Sequence, residues 1–283
     1  MNLATLSASY LRARPLQTLL SLMLLALGVG TIVLLILVTS QLEERMHRDA
    51  RGIDLVVGAK GSPMQLILSG IYHLDAPTGN IPLASAGELA KNRLVRKAIP
   101  LALGDSWKGY RIVGAPHDYP ALYDAKPAAG RLWEKPMEAV LGAEVAARTG
   151  VPVGGTFVGA HGIGGEGQEH AEQPYTVVGV LEKTGSVLDR LVLTGIESVW
   201  EVHHDAGEAA RQVTVLLVQY ASPLAAATLP RQINAQSELQ AASPAYETAR
   251  LFRIVGVGVE ALRAFAAVLS LAEIGRASCR ERV

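Results

Sequence analysis

Residues 15–42 hold no Asp, Glu, Lys, Arg or His, and from 16 to 38 Leu, Val, Ile, Met, Ala and Gly dominate. An apolar helix rising ~1.5 Å per residue crosses ~30 Å of hydrocarbon in about 20 residues, so the pattern predicts a transmembrane helix over 15–41. The run is too long for a signal-peptide core. Thr39-Ser40-Gln41, followed by Glu43-Glu44-Arg45, also makes a poor cleavage site. As the core helix of a soluble protein it would have to be wrapped on all sides, and no other segment is apolar enough to do that. Before it, residues 1–14 place Leu3, Leu6, Tyr10 and Leu11 at helical spacing among polar positions, which predicts an interfacial amphipathic helix ended by Pro15. After it, 41–51 keeps a helical pattern with Leu42 and Met46 on one side, so the helix is expected to leave the bilayer as a stalk.

From residue 52 to about 219 the pattern changes to short apolar runs punctuated by Gly and Pro. Strands are predicted at 53–57, 111–113, 156–158, 175–181, 188–193 and 213–218. Helices are predicted at 64–71, 137–149 and 224–234. A further helix is expected to open at Thr194, whose spacing to Glu197 matches a capping box. Strands and helices without regular alternation indicate an α+β domain over 42–250.

A long final helix is predicted from Ala245. Its stretch 251–272 resembles a span but carries Arg253, Glu260 and Arg263. A charge at mid-membrane costs about 2.5–3.5 kcal/mol, against about 0.3–0.6 kcal/mol returned by each large apolar residue. The pattern therefore places 253–263 in a second stalk, packed beside the first, with a truncated second transmembrane helix beginning near Ala264. Residues 273–283, EIGRASCRERV, continue none of this periodicity and resemble a translated sequencing adapter; they are read as a non-native tail. The expected class is thus membrane-anchored α+β. It has an N-terminal transmembrane helix, a mixed extracytoplasmic domain between two stalk helices, and the start of a second span.

Composition narrows the function classes. Lys+Arg 26 against Asp+Glu 26 leaves no net charge and nothing that suggests a polyanion-binding surface, so nucleic acid is not expected as a partner. The single cysteine, Cys279, rules out a disulfide scaffold. Charge does not orient the span, because Arg12 and Arg14 before it are balanced by Arg45, Arg48 and Arg51 after it. Residues 162–167 spell G-x-G-x-x-G but lead through polar residues to a strand, not into a helix, so they read as a hairpin loop. Residues 58–62, GAKGS, resemble a phosphate loop without its G-K-[ST] order. His161 and His170, with Glu166, Glu169 and Glu172, and the run His203-His204-Asp205, offer metal-ligand chemistry at no compact spacing. No nucleophile elbow is present. The residues therefore name no catalytic, cofactor-binding or metal site.

Several segments carry a resemblance: 52–63 (GIDLVVGAKGSP), 130–133 (GRLW), 138–144 (EAVLGAE), 150–157 (GVPVGGTF) and 175–181 (YTVVGVL). With the order of helix, α+β domain and helix, residues 1–272 resemble the FtsX-like permeases of ABC transporters, and 42–250 is similar to a MacB-like periplasmic core domain. The resemblance implies a non-enzymatic permease subunit of the cell (inner) membrane, multi-pass at full length with two further spans, its large domain periplasmic. It implies pairing with a second copy, contact with membrane lipid, a separate ABC ATPase on the cytoplasmic side and a periplasmic accessory protein, with no cofactor. ATP hydrolysis would move the periplasmic domain mechanically, to export or extract an envelope substrate. The alternative reading is a membrane-anchored extracytoplasmic binding or metal-sensing module built on His161 and His170. A tethered hydrolase would require a nucleophile constellation that the chain does not display.

Overall fold

The computed structural model describes residues 12–13, 15–162, 173–202 and 211–279. The expected interfacial helix over 1–14 and the glycine-rich loop after Gly162 fall almost wholly outside them. In chain order the elements are α1 (Pro15–Asp49), β1 (Leu55–Ala59), α2 (Pro63–Gly70), β2 (Ile81–Pro82), α3 (Leu83–Ala90), β3 (Val95–Trp107), β4 (Tyr110–Gly114) and α4 (Asp118–Leu122). There follow β5 (Pro127–Gly130), β6 (Glu138–Leu141), α5 (Ala143–Thr149), β7 (Thr156–Phe157), β8 (Ala160–His161), β9 (Tyr175–Leu181), a 3-10 turn (Val187–Arg190), β10 (Leu191–Thr194) and α6 (Ile196–Val202). The chain continues with β11 (Gln212–Val213), β12 (Val215–Tyr220), α7 (Pro223–Gln236), β13 (Leu239–Ala242) and α8 (Pro244–Cys279).

Two compact units result. One is drawn from the chain up to Glu44 and from Arg250 onward; the other is Arg45–Ala249. In the first unit, α1 is the one helix among the described residues that is long and apolar enough to cross a membrane. Most of its leucines stand exposed, Leu16 at 71% and Leu27 at 68%. Hydroxyls along it bond back to the helix itself: the Thr31 hydroxyl donates to the Leu27 carbonyl at 2.8 Å and that of Thr39 to Leu35 at 2.7 Å. Apolar surroundings demand this, since no water is there to bond them. Its partly buried positions, Thr18, Ser21, Gly28, Ile32, Leu35 and Thr39, fall on one seam in steps of three, four and seven. On α8, Phe252, Gly256 and Val259 are likewise partly buried, at the same kind of step. Spacing of this kind puts the less exposed positions of each helix on one side of it.

The second unit is a mixed sheet in the order β13-β1-β12-β3-β4-β10-β6-β9-β5, with β7 on β9 and β8 on β3. β10 runs parallel to β4, and β6 parallel to β9; the remaining ladders are antiparallel. β3 ties the two halves, pairing with β12 from Val95 to Leu101 and with β4 from Ala102 to Trp107. One apolar core lies over the β1–β12 half, with Leu55, Val57, Leu216, Leu229 and Ile233. Another lies over the β6–β9 half, with Leu141, Val145, Val177 and a ring stack in which Trp107 lies 4.3 Å from Phe157 and Phe157 5.3 Å from Tyr175.

Four expectations are corrected. Residues 137–149 are not one helix but strand β6 followed by α5, because Ala139–Leu141 is buried on both faces between β10 and β9. The first part of the expected strand at 188–193 is the 3-10 turn. The strand expected at 53–57 starts at Leu55. Thr194 does not cap a helix: it ends β10, and its hydroxyl donates to the Glu138 carbonyl at 2.7 Å, with Ser198 Oγ also at 2.7 Å.

Candidate functional site at the helix roots

The motif GAKGS turns out to be structural. Ser62 caps α2, its hydroxyl accepting from the Gln65 N–H at 3.4 Å, with Pro63 in the first turn. Lys60 donates to the Asn234 carbonyl at 2.9 Å, near the C-terminal end of α7, where a cation is favoured. Its ammonium is therefore engaged with the protein rather than with a phosphate. His161 Nδ1 lies 3.3 Å from the buried Asp105 carboxylate. His170, Glu166, Glu169, Glu172, His203, His204 and Asp205 lie outside the described residues. Among the described residues no group of three or more His, Cys, Asp and Glu is placed to hold a metal ion.

The densest buried polar chemistry lies where the domain receives its two helices. Inside the Arg45–Ala249 unit, Met46 and Asp49 end α1, and Glu247 and Thr248 lie near the start of α8; all four are buried. The Met46 carbonyl already accepts from the Ala50 N–H at 3.0 Å, while a helix end leaves its last carbonyls without intrahelical partners, and tyrosines reach both kinds. The Tyr72 hydroxyl donates to the Met46 carbonyl at 3.3 Å, and the Tyr123 hydroxyl donates to that of Asp49 at 2.5 Å. The Tyr72 oxygen also lies 3.0 Å from the Thr248 hydroxyl, so one phenol touches both helices.

Asp49 stands at the C-terminal end of a helix, where the dipole disfavours a carboxylate. Burial raises its carboxyl above the ordinary range, opposed by Arg190 and by the N–H of Val187. The Arg190 guanidinium lies 3.5 Å from it. The turn that presents Arg190 is organised by Asp189, which accepts from the backbone N–H of Thr184 and of Gly185, each at 2.8 Å. The same turn offers the Gly185 carbonyl to Arg48 at 3.2 Å.

Behind this lie His73, whose Nε2 is 3.0 Å from the Tyr119 hydroxyl, and Arg111, which donates to the Asp75 carbonyl at 2.7 Å. Burial, then Arg111 and Arg190, lower His73 to about 3, so the ring is neutral at physiological pH. Burial raises the phenols of Tyr72, Tyr119 and Tyr123, which keeps them protonated and able to donate. The arrangement has no nucleophile paired with a base. It is a set of hydrogen bonds fixing two helix ends to one domain. The sequence does not mark this cluster: its residues come in small groups spread from position 46 to 248, with no spacing that joins one group to another.

The model of the MacB-like periplasmic core domain matches residues 18–236, more than half of the chain. The chain belongs to this family. None of the curated proteins matches it. Among solved structures, the MacB-like chain is similar to the periplasmic region of MacB from Actinobacillus actinomycetemcomitans, at 13% identity and TM-score 0.45, over 71% of this chain and 95% of that one. It is also similar to the extracellular domain of the noncanonic ABC-type transporter YknZ from Gram-positive bacteria, at 14% identity and TM-score 0.41, over 67% of this chain and 98% of that one. A domain of a permease protein from Porphyromonas gingivalis matches at 16% identity and TM-score 0.37, over 68% and 89%. At the level of family, the resemblance carried by 52–63 and 175–181 holds: the chain carries a MacB-like periplasmic domain of an ABC-type permease.

Proposed function

We propose that this MacB-like chain is the membrane subunit of an ABC transporter, in which a separate ATPase drives movement of the periplasmic domain to export or extract an envelope substrate. The observation that supports this reading is the convergence of the domain's entry and exit on Tyr72, whose hydroxyl reaches both the end of α1 and the start of α8. A rigid sheet domain attached at two points a few ångströms apart acts as a lever, because a small relative shift of the roots turns the whole body. The domain then lies on the periplasmic side of the cell membrane. The chain pairs with a second copy, contacts lipid through α1, and works with a periplasmic accessory protein. Its own residues supply mechanical attachment and no catalytic step.

The deciding experiment reconstitutes the chain in lipid nanodiscs with the ABC ATPase encoded beside it and follows ATP hydrolysis. Stable association with an altered hydrolysis rate is expected. An ATPase that neither binds nor changes its rate overturns the reading.

A further inference from the structure

We propose that the Tyr72 hydroxyl is a positioning latch that sets the spacing of the two helix roots; this rests on the mechanical reading above and names the group that carries it. Tyr72 belongs to neither root. It follows α2, which Ser62 caps and whose buried Leu66 and Ile67 hold it against the domain. The ring is 4% exposed, so the sheet side of the domain decides where its oxygen sits. That oxygen donates to the Met46 carbonyl and leaves the Thr248 hydroxyl to donate to it, a two-link chain from one helix through the domain to the other.

Both links are neutral. With the phenol raised by burial, neither gains or loses a proton across the physiological range. A link of this kind breaks and re-forms under displacement without leaving a buried charge exposed, unlike a buried ion pair. The latch therefore responds to movement of the roots. Because the two bonds are in series, losing either one breaks the same direct path between the roots, while Tyr123 and Arg190 still hold Asp49 to the domain.

The test uses the full chain carrying Cys279→Ser, with nitroxide labels at Arg51→Cys and Tyr246→Cys, both exposed positions of the domain unit. Distances between labels are read by double electron–electron resonance in nanodiscs. The parent is expected to give one narrow peak, lost in Tyr72→Phe and in Thr248→Val, while Thr248→Ser keeps it. The double variant is expected to be no broader than either single one. An unchanged peak in both single variants, or a double variant broadened as the sum of the two, overturns the latch. Thermal unfolding of each variant separates loss of the latch from loss of fold; if Tyr72→Phe does not fold, Thr248→Val decides. An intact peak in the variants leaves the ATPase experiment standing, and a failed ATPase experiment with a lost peak leaves the latch standing.

Discussion

His73 holds a backbone φ of 55° and a ring whose Nε2 meets the Tyr119 hydroxyl. Burial lowers its imidazole from 6.5 to about 3. As pH falls through the ordinary histidine range the unfolded chain takes up this proton and the folded chain does not, so the neutral ring stabilises the fold fully above that range. Stability lost on acidification toward pH ~4 is expected to include a His73 component with a slope of up to about 1.4 kcal/mol per pH unit. The variant His73→Asn, whose side chain tolerates positive φ, should flatten that slope in urea unfolding between pH ~6.5 and ~4. An unchanged slope would refute the assignment. Glu138 shows the opposite case. Its hydrogen bonds to Arg131, at 2.7 and 2.6 Å, and then to the backbone N–H of Glu134 and Lys135 hold its carboxyl at about 2. Its contribution is present above the ordinary carboxyl range and lost as pH falls toward 2. The deficit of Glu138→Gln relative to the parent should therefore shrink on acidification through that window.

The sheet edge at β13 is closed by side chains, with Ser237 accepting from the Leu239 N–H at 3.2 Å and Gln240 donating to the Ala241 carbonyl at 3.1 Å. Asn234, on α7, accepts from the Ala241 N–H at 2.7 Å and donates to the Ala241 carbonyl at 3.1 Å, occupying the bonds a further strand would take. Asn234→Ala should lower stability by about 1–3 kcal/mol and promote self-association in gel filtration at high concentration; a monomer of parental stability would count against this role. At the opposite edge, Gly130 has a φ of 70°, and a Cβ there would lie 2.1 Å from the Val178 carbonyl. Gly130→Ala is expected to break the β5–β9 pairing, seen as faster amide exchange in β5, with normal protection as the contrary result. Which elements were legible follows from how each is buried. β9 alternates buried and half-buried residues along Tyr175–Leu181 and reads as a strand directly. β6 is buried on both faces, so its Ala-Val-Leu run shows no period of two and merges with the helix after it. β3 is the longest strand and went unpredicted: Arg96, Lys97, Pro100 and Gly104 interrupt its pattern, tolerated because it changes partner midway from β12 to β4.

At the scale of the molecule, the Arg45–Ala249 unit has its own apolar cores, while most leucines of α1 are exposed. Residues 45–249 produced alone should therefore remain soluble and unfold in one cooperative transition by circular dichroism; aggregation without a transition would show that the flanking helices are needed to fold it. By itself the sequence determined the long apolar helix, the α+β class and the family, since these rest on hydropathy, local propensity and short local motifs. Tertiary structure alone decided the partner exchange of β3, the reach of Asn234 from α7 to the β13 edge and the cluster at the helix roots. Tyr72, Tyr123, Arg190 and Thr248 are far apart along the chain, and a hydrogen bond between them depends on where the sheet carries each one, which no local pattern encodes.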